Sequence, residues 1–366
     1  MMKRLFSLVF AVILMAFLYL PRSVSAVSAK SAVVTDAQTG RVIYEKNPNT
    51  RSLIASTTKI MTALVVSEQC NVLDRMQIPK EAVGIEGSSI YLKEGEILTV
   101  QELLYGLMLH SGNDAAVALA IYCGGTQEGF VELMNDKARQ LGLTNTHFEN
   151  PNGLDSPNHY STASDLAVLT AYAMKNPIFA QTVSTKSIKI GERSLTNHNK
   201  LLWRVEGADG VKTGYTRAAG RILVSSATRQ SRRLIAVTIN DPNDWADHKK
   251  LLETGFSQFQ LKQIVEKGEI LGTVSVIGGN GETVNLIAEE DFIYALQEDE
   301  RPYFVCQGPG FAYAPVRAGD DAGFVYVCIG DAPVGKIPVS YEDTVEKIVK
   351  EEKVSFFKRL WKGLIQ

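Results

Sequence analysis

The sequence predicts an α+β protein: one antiparallel sheet, closed by its first and last strands, around a helical cluster, followed by a small all-β domain and a C-terminal amphipathic helix. Three observations carry this expectation. Strand-like runs lie at both ends of residues 30–240, helical periodicity fills the stretch between them, and Gly278-Gly279-Asn280-Gly281 joins two further strand-like runs.

A chain of 366 residues exceeds the size at which one hydrophobic core usually stops growing, so two folded domains are expected. The net charge of -2 supplies no overall basic field, which argues against nucleic acid as the main partner. Lys3 and Arg4 precede an almost unbroken apolar run over residues 5–20, and two small-residue sites, Val24-Ser25-Ala26 and Val27-Ser28-Ala29, follow it. Residues 1–29 therefore read as a secretory signal peptide, with an uncleaved signal anchor as the alternative. Either places the folded part outside the cytoplasm.

From the first strand onward, residues 32–35 and 41–46 are strand-like and flank Asp36-Ala37-Gln38-Thr39-Gly40, the composition of a hairpin turn. From Ser56 the pattern becomes helical through Ile60, Met61, Leu64 and Val65. Thr99 and Glu102 form a capping box for a second helix, which breaks at Ser111-Gly112-Asn113 before another begins at Asp114 and stops at Gly124-Gly125. Further helices are expected over about 128–141, and from Thr162 with Asp165 to Asn176-Pro177. Residues 211–215, 221–228 and 233–239 are again strand-like. Beyond Phe256, residues 273–277, 282–287, 324–329 and 336–340 suggest the small β domain.

The last segment, residues 341–366, has helical periodicity, with Val349, Phe356, Phe357, Leu360, Trp361 and Leu364 on one face and Lys353, Lys358, Arg359 and Lys362 elsewhere. A basic helix of this kind suits a membrane surface and is too polar to span one; docking on its own domain or on a partner protein is the alternative.

Cysteines and histidines bound the chemistry. Cys70, Cys123, Cys306 and Cys328 are too sparse for a disulfide scaffold and have no zinc spacing. Cys306 and Cys328 are candidates to pair, with free buried thiols as the alternative. The five histidines show no His-Glu-x-x-His pattern, so no metal and no cofactor is expected.

The chemistry-bearing pattern begins with Ser56-Thr57-Thr58-Lys59, which puts a hydroxyl and an amine at i and i+3, neighbours on a helix face. A serine hydroxyl becomes a good nucleophile when a base takes its proton, and lysine serves when burial lowers its pKa. Alone, this motif is common by chance. Ser111-Gly112-Asn113 on an inter-helix turn and Lys212-Thr213-Gly214 on a strand, in that order, make the combination specific.

The three motifs together resemble the penicillin-interacting serine enzymes, and the longer context resembles the D-alanyl-D-alanine carboxypeptidases, the low-molecular-weight penicillin-binding proteins. Matching stretches include Asp36-Ala37-Gln38-Thr39-Gly40, residues 55–63 and 110–114, Asn150-Pro151-Asn152-Gly153-Leu154, and residues 159–167 and 209–215. The resemblance implies the penicillin-binding, β-lactamase-like transpeptidase fold, with a catalytic domain over 30–260, a β-rich domain over 265–340 and a membrane-associating helix over 341–366. It implies that Ser56 is acylated by a peptidoglycan stem peptide ending in D-Ala-D-Ala. Lys59 would be its base, Ser111 a proton relay, Asn113 and Lys212 substrate-side groups, and Thr213 a ligand of the terminal carboxylate, beside Gly214.

The same resemblance puts the oxyanion hole at the backbone donors of Ser56 and Tyr215, makes β-lactams inhibitors, and places the protein peripherally on the outer face of the bacterial cytoplasmic membrane. A β-lactamase of the same fold and a non-catalytic penicillin-binding sensor or wall-binding protein are the competing readings. Two departures from the family pattern stand out. Residue 54 is Ile where proline is more usual, and Asn240-Asp241-Pro242-Asn243-Asp244-Trp245 lacks an arginine for the carboxylate. Arg221 and Arg217 are the substitutes. His147 and His159 are expected to fasten the loop around Pro151, and Glu149 lacks the context of a deacylating glutamate.

Overall fold

Strand β1 (Ser31–Asp36) and strand β2 (Val42–Lys46) open the chain's folded part as an antiparallel hairpin. The structure, a computed structural model, describes residues 27–307 and 310–349, in one unit ending at Gln258 and a second beginning at Phe259. Asp36 makes the β1–β2 turn. Its Oδ1 accepts from the N–H groups of Gln38 and Thr39, both at 3.0 Å, and Gly40 sits at φ 70°.

A 3-10 turn, Ala55–Thr58, leads directly into α1 (Lys59–Gln69). A short ladder of β3 (Arg75–Gln77) and β4 (Ile97–Thr99) precedes α2 (Val100–Leu109), α3 (Asn113–Gly124), α4 (Gln127–Gln140), α5 (Ala163–Ala173) and α6 (Pro177–Ser184). The Thr99–Glu102 capping box is present at the start of α2. Helix α5 ends at Ala173, close to the expected stop at Asn176-Pro177, and that pair also starts α6: the Asn176 side chain accepts from the N–H groups of Ile178 and Phe179, and Pro177 occupies the first turn, where its missing N–H costs nothing.

A small hairpin of β5 (Ser187–Ile190) and β6 (Arg193–Thr196) follows, and β7 (Ala208–Thr216), β8 (Gly220–Arg229) and β9 (Arg232–Ile239) complete the main sheet. Its order, β2-β1-β9-β8-β7 and antiparallel throughout, sets the first and last strands side by side, as expected. The sequence reading leaves residues 244–258 without a helix; the structure forms α7 (Asp244–Gln258) there. Leu251 and Leu252 of α7 pack with Ala32, Val34, Leu234 and Ala236 on one face of the sheet. Val33, Ile235 and Val237 join the helical core on the other. The middles of β1 and β9, residues 32–34 and 234–237, are continuously apolar because both their faces are covered.

Residues 27–29, the last three of the expected leader, are packed into the first unit. Val27 and Ala29 are buried with Leu251 and Leu252, and the Val27 carbonyl accepts from Lys46 Nζ at 3.0 Å. Residues 27–29 belong to the folded unit, since their removal would leave that apolar face uncovered. Residues 1–26 lie outside the described part.

The second unit contains β10 (Gln260–Val265), β11 (Ile270–Ile277), β12 (Thr283–Ala288), β13 (Phe292–Leu296), β14 (Tyr303–Gln307), β15 (Phe311–Tyr313), β16 (Asp321–Ile329) and β17 (Ala332–Tyr341). β10 pairs with β13, and the other six form a sheet of order β14-β16-β17-β12-β11-β15. Its core is small, with Val325, Val327, Ile337 and Val339 buried.

Two expectations fail in this unit. The helix expected from residue 341 does not begin there: β17 ends at Tyr341, and the chain then makes isolated bridges from Val345 to Val316 and from Lys347 to Gly279. Residues 350–366, where the rest of that helix was expected, lie outside the described residues. Cys306 and Cys328 cannot pair, because β14 and β16 register Cys306 opposite Val325 and Cys328 opposite Tyr303. Three residues of offset along a ladder is about 10 Å, beyond the Cα reach of a disulfide. Among the described residues no helix is long and apolar enough to cross a membrane.

Candidate active site

Ser56 sits in the 3-10 turn immediately before α1. In that geometry residues three apart eclipse one another, so Ser56 and Lys59 stack. The turn is held in a costly shape, with Ala55 at φ 44°, in the left-handed region that a β-carbon disfavours. Two glycines let neighbouring backbone press against it. A β-carbon at Gly153 would collide with the Ala55 carbonyl oxygen, and one at Gly214 would lie 3.2 Å from the Ile54 oxygen and 3.3 Å from the Ser56 nitrogen. The turn is therefore clamped between the 150–154 loop and strand β7.

Lys59 is fully buried, as are its chain neighbours Ile54, Ile60 and Met61. Its Nζ stands 3.1 Å from Ser56 Oγ, donates to Asn113 Oδ1 at 2.7 Å and makes a very short hydrogen bond to the Asn152 carbonyl. Burial holds its pKa well below the usual lysine value, repulsion from Lys212 lowers it further, and Asp114 partly opposes both. An amine that spends two N–H bonds on Asn113 and Asn152 presents its third position to Ser56. In the neutral form that position holds a lone pair, ready for the serine proton.

Around this pair, Asn113 opens α3 and ties three segments together. Its Oδ1 takes Lys59, its Nδ2 donates to the Glu86 carbonyl, and its N–H donates to the Ser88 carbonyl at 2.7 Å. One N–H of the Asn113 amide is thus engaged within the protein, and Asn113 itself is buried and is not among the residues that line the cleft. Next to it, buried Asp114 accepts from the N–H groups of Ile90 and Leu92 and from Ser89 Oγ, fixing the loop that carries Ser88. Ser111, on the bend between α2 and α3, is itself left-handed at φ 63° and buried.

Strand β7 is the sheet's edge. Its alternation buries Lys212 and Gly214, half-buries Thr213 and leaves Tyr215 exposed. Lys212 Nζ donates to the Thr213 carbonyl at 2.9 Å, and burial lowers its pKa to about 7. Ser56, Ser111, Thr213, Gly214 and Tyr215 open onto one cleft of about 400 Å³.

Several lining groups carry no motif in the sequence. Ser88, His198 and Lys200 line the same cleft. Burial, then Lys212 and His110, push His198 down to about 4, so its ring is neutral near pH 7. Arg221 also lines the cleft, but its guanidinium forks onto Asp244, with Nη2 2.8 Å from Oδ2. Its charge is compensated, whereas Lys200 is exposed; Arg217 is on the exposed β7–β8 turn and outside the lining. Asn152 acts through a backbone carbonyl, which no side-chain pattern reveals.

The two histidines expected to fasten the loop make local contacts of that kind. His159 Nδ1 accepts from the Glu149 N–H, and burial holds its pKa down to about 4, so the neutral ring presents Nε2–H to Thr58 Oγ1 at 2.7 Å. His147 Nδ1 lies 2.7 Å from the Asn158 carbonyl. The Glu149 carboxylate is taken by Ser156 and Asn158 of its own loop. Among the described residues no group of three His, Cys, Asp or Glu side chains is gathered to hold a metal ion.

The family profile described as D-alanyl-D-alanine carboxypeptidase matches residues 20–243, and that of the penicillin-binding protein 5 C-terminal domain matches residues 259–347. D-alanyl-D-alanine carboxypeptidase DacF of Bacillus subtilis is 33% identical over 335 residues, 87% of this chain and 86% of its own. DacD of Escherichia coli is 35% identical over 333 residues, 86% of each. The crystal structure of penicillin-binding protein 5 from Haemophilus influenzae superposes with a TM-score of 0.76 at 30% identity, covering 88% of this chain and 98% of that one.

Proposed function

We propose a division of labour for a chain that belongs to the D-alanyl-D-alanine carboxypeptidase family, serine peptidases of the penicillin-binding class. Ser56 attacks the carbonyl of the penultimate D-alanine of a peptidoglycan stem peptide. Lys59, as the neutral amine, takes the serine proton, and Ser111 passes a proton to the departing D-alanine nitrogen, in a field tuned by Lys212. The backbone N–H groups of Ser56 and Tyr215 receive the developing oxyanion. Water then hydrolyses the ester on Ser56, and β-lactams inhibit by leaving a slowly hydrolysed ester there.

Thr213 receives the substrate carboxylate, with Gly214 letting strand β7 lie close against the Ser56 turn. Lys200 is a better candidate than Arg221 for the cation beside it, because Asp244 already compensates Arg221. The observation that carries the whole reading is the buried Lys59 amine 3.1 Å from Ser56 Oγ, with its other donors engaged. The test is D-alanine release from a short peptide ending in two D-alanines, by wild type and Ser56→Ala, with intact mass after penicillin treatment. An unlabelled wild-type protein would remove Ser56 from the reaction.

The protein is exported and works peripherally at the outer face of the bacterial cytoplasmic membrane. Supporting this are the charged and apolar start of the chain and the basic amphipathic pattern of residues 350–366. Burial of Val27 and Ala29 favours cleavage after Ala26 over cleavage after Ala29. N-terminal sequencing of the exported protein decides between them. Deleting residues 350–366 should release the processed protein from membranes; retention would refute the anchor.

A further inference from the structure

Away from the cleft, two half-buried thiols with no part in the reaction meet at the far ends of the helices that build it. Cys70 caps the C-terminus of α1, and Cys123 stands in the last turn of α3. Their Sγ atoms are 2.6 Å apart across 53 residues of chain, well inside the contact distance of two unbonded sulfur atoms. The pair is polarised: the hydrogen bond between them pushes the Cys70 thiol down and the Cys123 thiol up. Cys70 is thus the better attacking thiolate.

We propose that Cys70 and Cys123 are a disulfide-forming pair that bolts α1 to α3 at the ends opposite the catalytic groups. The same two helices begin at Lys59 and Asn113, which hydrogen-bond at 2.7 Å. Eleven residues of α1 place the sulfurs about 16 Å below that contact. The helices run parallel, joined at one end by Lys59–Asn113 and at the other by the sulfur pair. A covalent link there restrains the unfolded chain over a long loop and holds the spacing of the two helices. Cys306 and Cys328 offer no competing bridge, because their strands register them three residues apart.

The electrons go to a disulfide-bearing donor, protein or small molecule. The Cys70 thiolate attacks one donor sulfur and displaces the other as a thiolate. The Cys123 thiolate then attacks Cys70 Sγ of the mixed disulfide and displaces the second donor sulfur. Two protons leave the cysteines, and the donor departs with both sulfurs reduced.

The test uses the full chain, incubated with oxidised glutathione or with dithiothreitol, denatured, and blocked with N-ethylmaleimide for intact mass and peptide mapping. The oxidised protein should take two maleimides and the reduced protein four, with one linked peptide joining Cys70 to Cys123. Its thermal midpoint should exceed that of the reduced protein by about 5–10 °C. That gap should vanish in Cys70→Ser/Cys123→Ser, and turnover at 25 °C should not change. Four maleimides after glutathione oxidation, a linked peptide containing Cys306 or Cys328, or the same gap in the double variant would overturn the proposal. Because oxidation is imposed in vitro, the outcome does not depend on export or on the assignment of Ser56.

Discussion

The Lys59 amine and the Asn113 amide, 54 residues apart in the chain, meet at 2.7 Å at the N-termini of two parallel helices. The contact orients the amine toward Ser56 and joins the helix that begins at Lys59 to the bend that carries Ser111. Five expected outcomes follow from the geometry around it.

Replacing Lys59 with Met should slow acylation of Ser56 by penicillin about a hundred- to ten-thousand-fold, the usual weight of a positioned base. Arginine should not rescue it, since a guanidinium does not release its proton at working pH. Stopped-flow or mass-resolved acylation rates measure both. An arginine variant with wild-type acylation would exclude the base role.

Asn113→Asp places a carboxylate against the Lys59 amine and favours its charged form. The acid limb of the acylation profile should therefore move to higher pH, and activity near pH 7 should fall. Asn113→Leu removes the contact without adding charge, so it should lower the rate with a smaller shift of that limb. Equal profiles for the two variants would contradict the electrostatic account.

Lys212 and Lys59 are both buried with lowered pKa values, Lys212 to about 7. Between the folded value near 7 and the unfolded value near 10.5, the unfolded chain binds more protons at Lys212 than the folded one, so stability rises with pH through that window. The gain from Lys212 should approach on the order of 1 kcal/mol per pH unit from pH 7.5 to 9. Urea denaturation across that range should show the rise in wild type and a flatter trend in Lys212→Met.

Gly153→Ala should destabilise the first unit by at least about 2 kcal/mol and reduce penicillin labelling of the folded fraction. Gly153 sits at φ +86°, and the added carbon meets the Ala55 carbonyl. Relaxing that clash moves the Ser56 turn. Denaturant midpoints and labelling rates of the same preparation measure the two effects.

Lys200→Ala should raise KM for a D-Ala-D-Ala peptide about tenfold with little change in kcat, consistent with loss of an exposed charge contact of about 1.4 kcal/mol. Arg221→Ala should leave KM closer to wild type and lower stability instead, because it strips Asp244 of its partner. A peptide amidated at its C-terminus should erase the Lys200 effect. Persistence of the effect with the amide would refute carboxylate recognition.

Local signals account for much of the fold. The Asp36–Gly40 turn, the Thr99–Glu102 capping box and the strands at either end of the first unit are written in neighbouring residues, where hydrogen bonding and periodicity act over a few positions. Helix α7 escaped notice because its polar first turn, Asp244 and Asp247, masks the buried Leu251, Leu252 and Gly255. The segment after Tyr341 reads as a helix by periodicity, yet its bridges to Val316 and Gly279 are long-range contacts that no local pattern contains.

By itself the sequence determined which reactive groups are present and in what short-range pattern: a hydroxyl and an amine at i and i+3, a Ser-Gly-Asn bend and a Lys-Thr-Gly strand, because residue types and short spacings are local properties. Only the tertiary structure decided how those groups are tuned and which others join them. Burial lowered Lys59 and Lys212, the Asn152 carbonyl closed the amine's shell, Asp244 compensated Arg221 while Lys200 stayed exposed, and Cys70 met Cys123 rather than Cys306 meeting Cys328. Each depends on which distant segments pack together. Solvation and Coulomb energies act through space, and the order of residues along the chain does not state that distance.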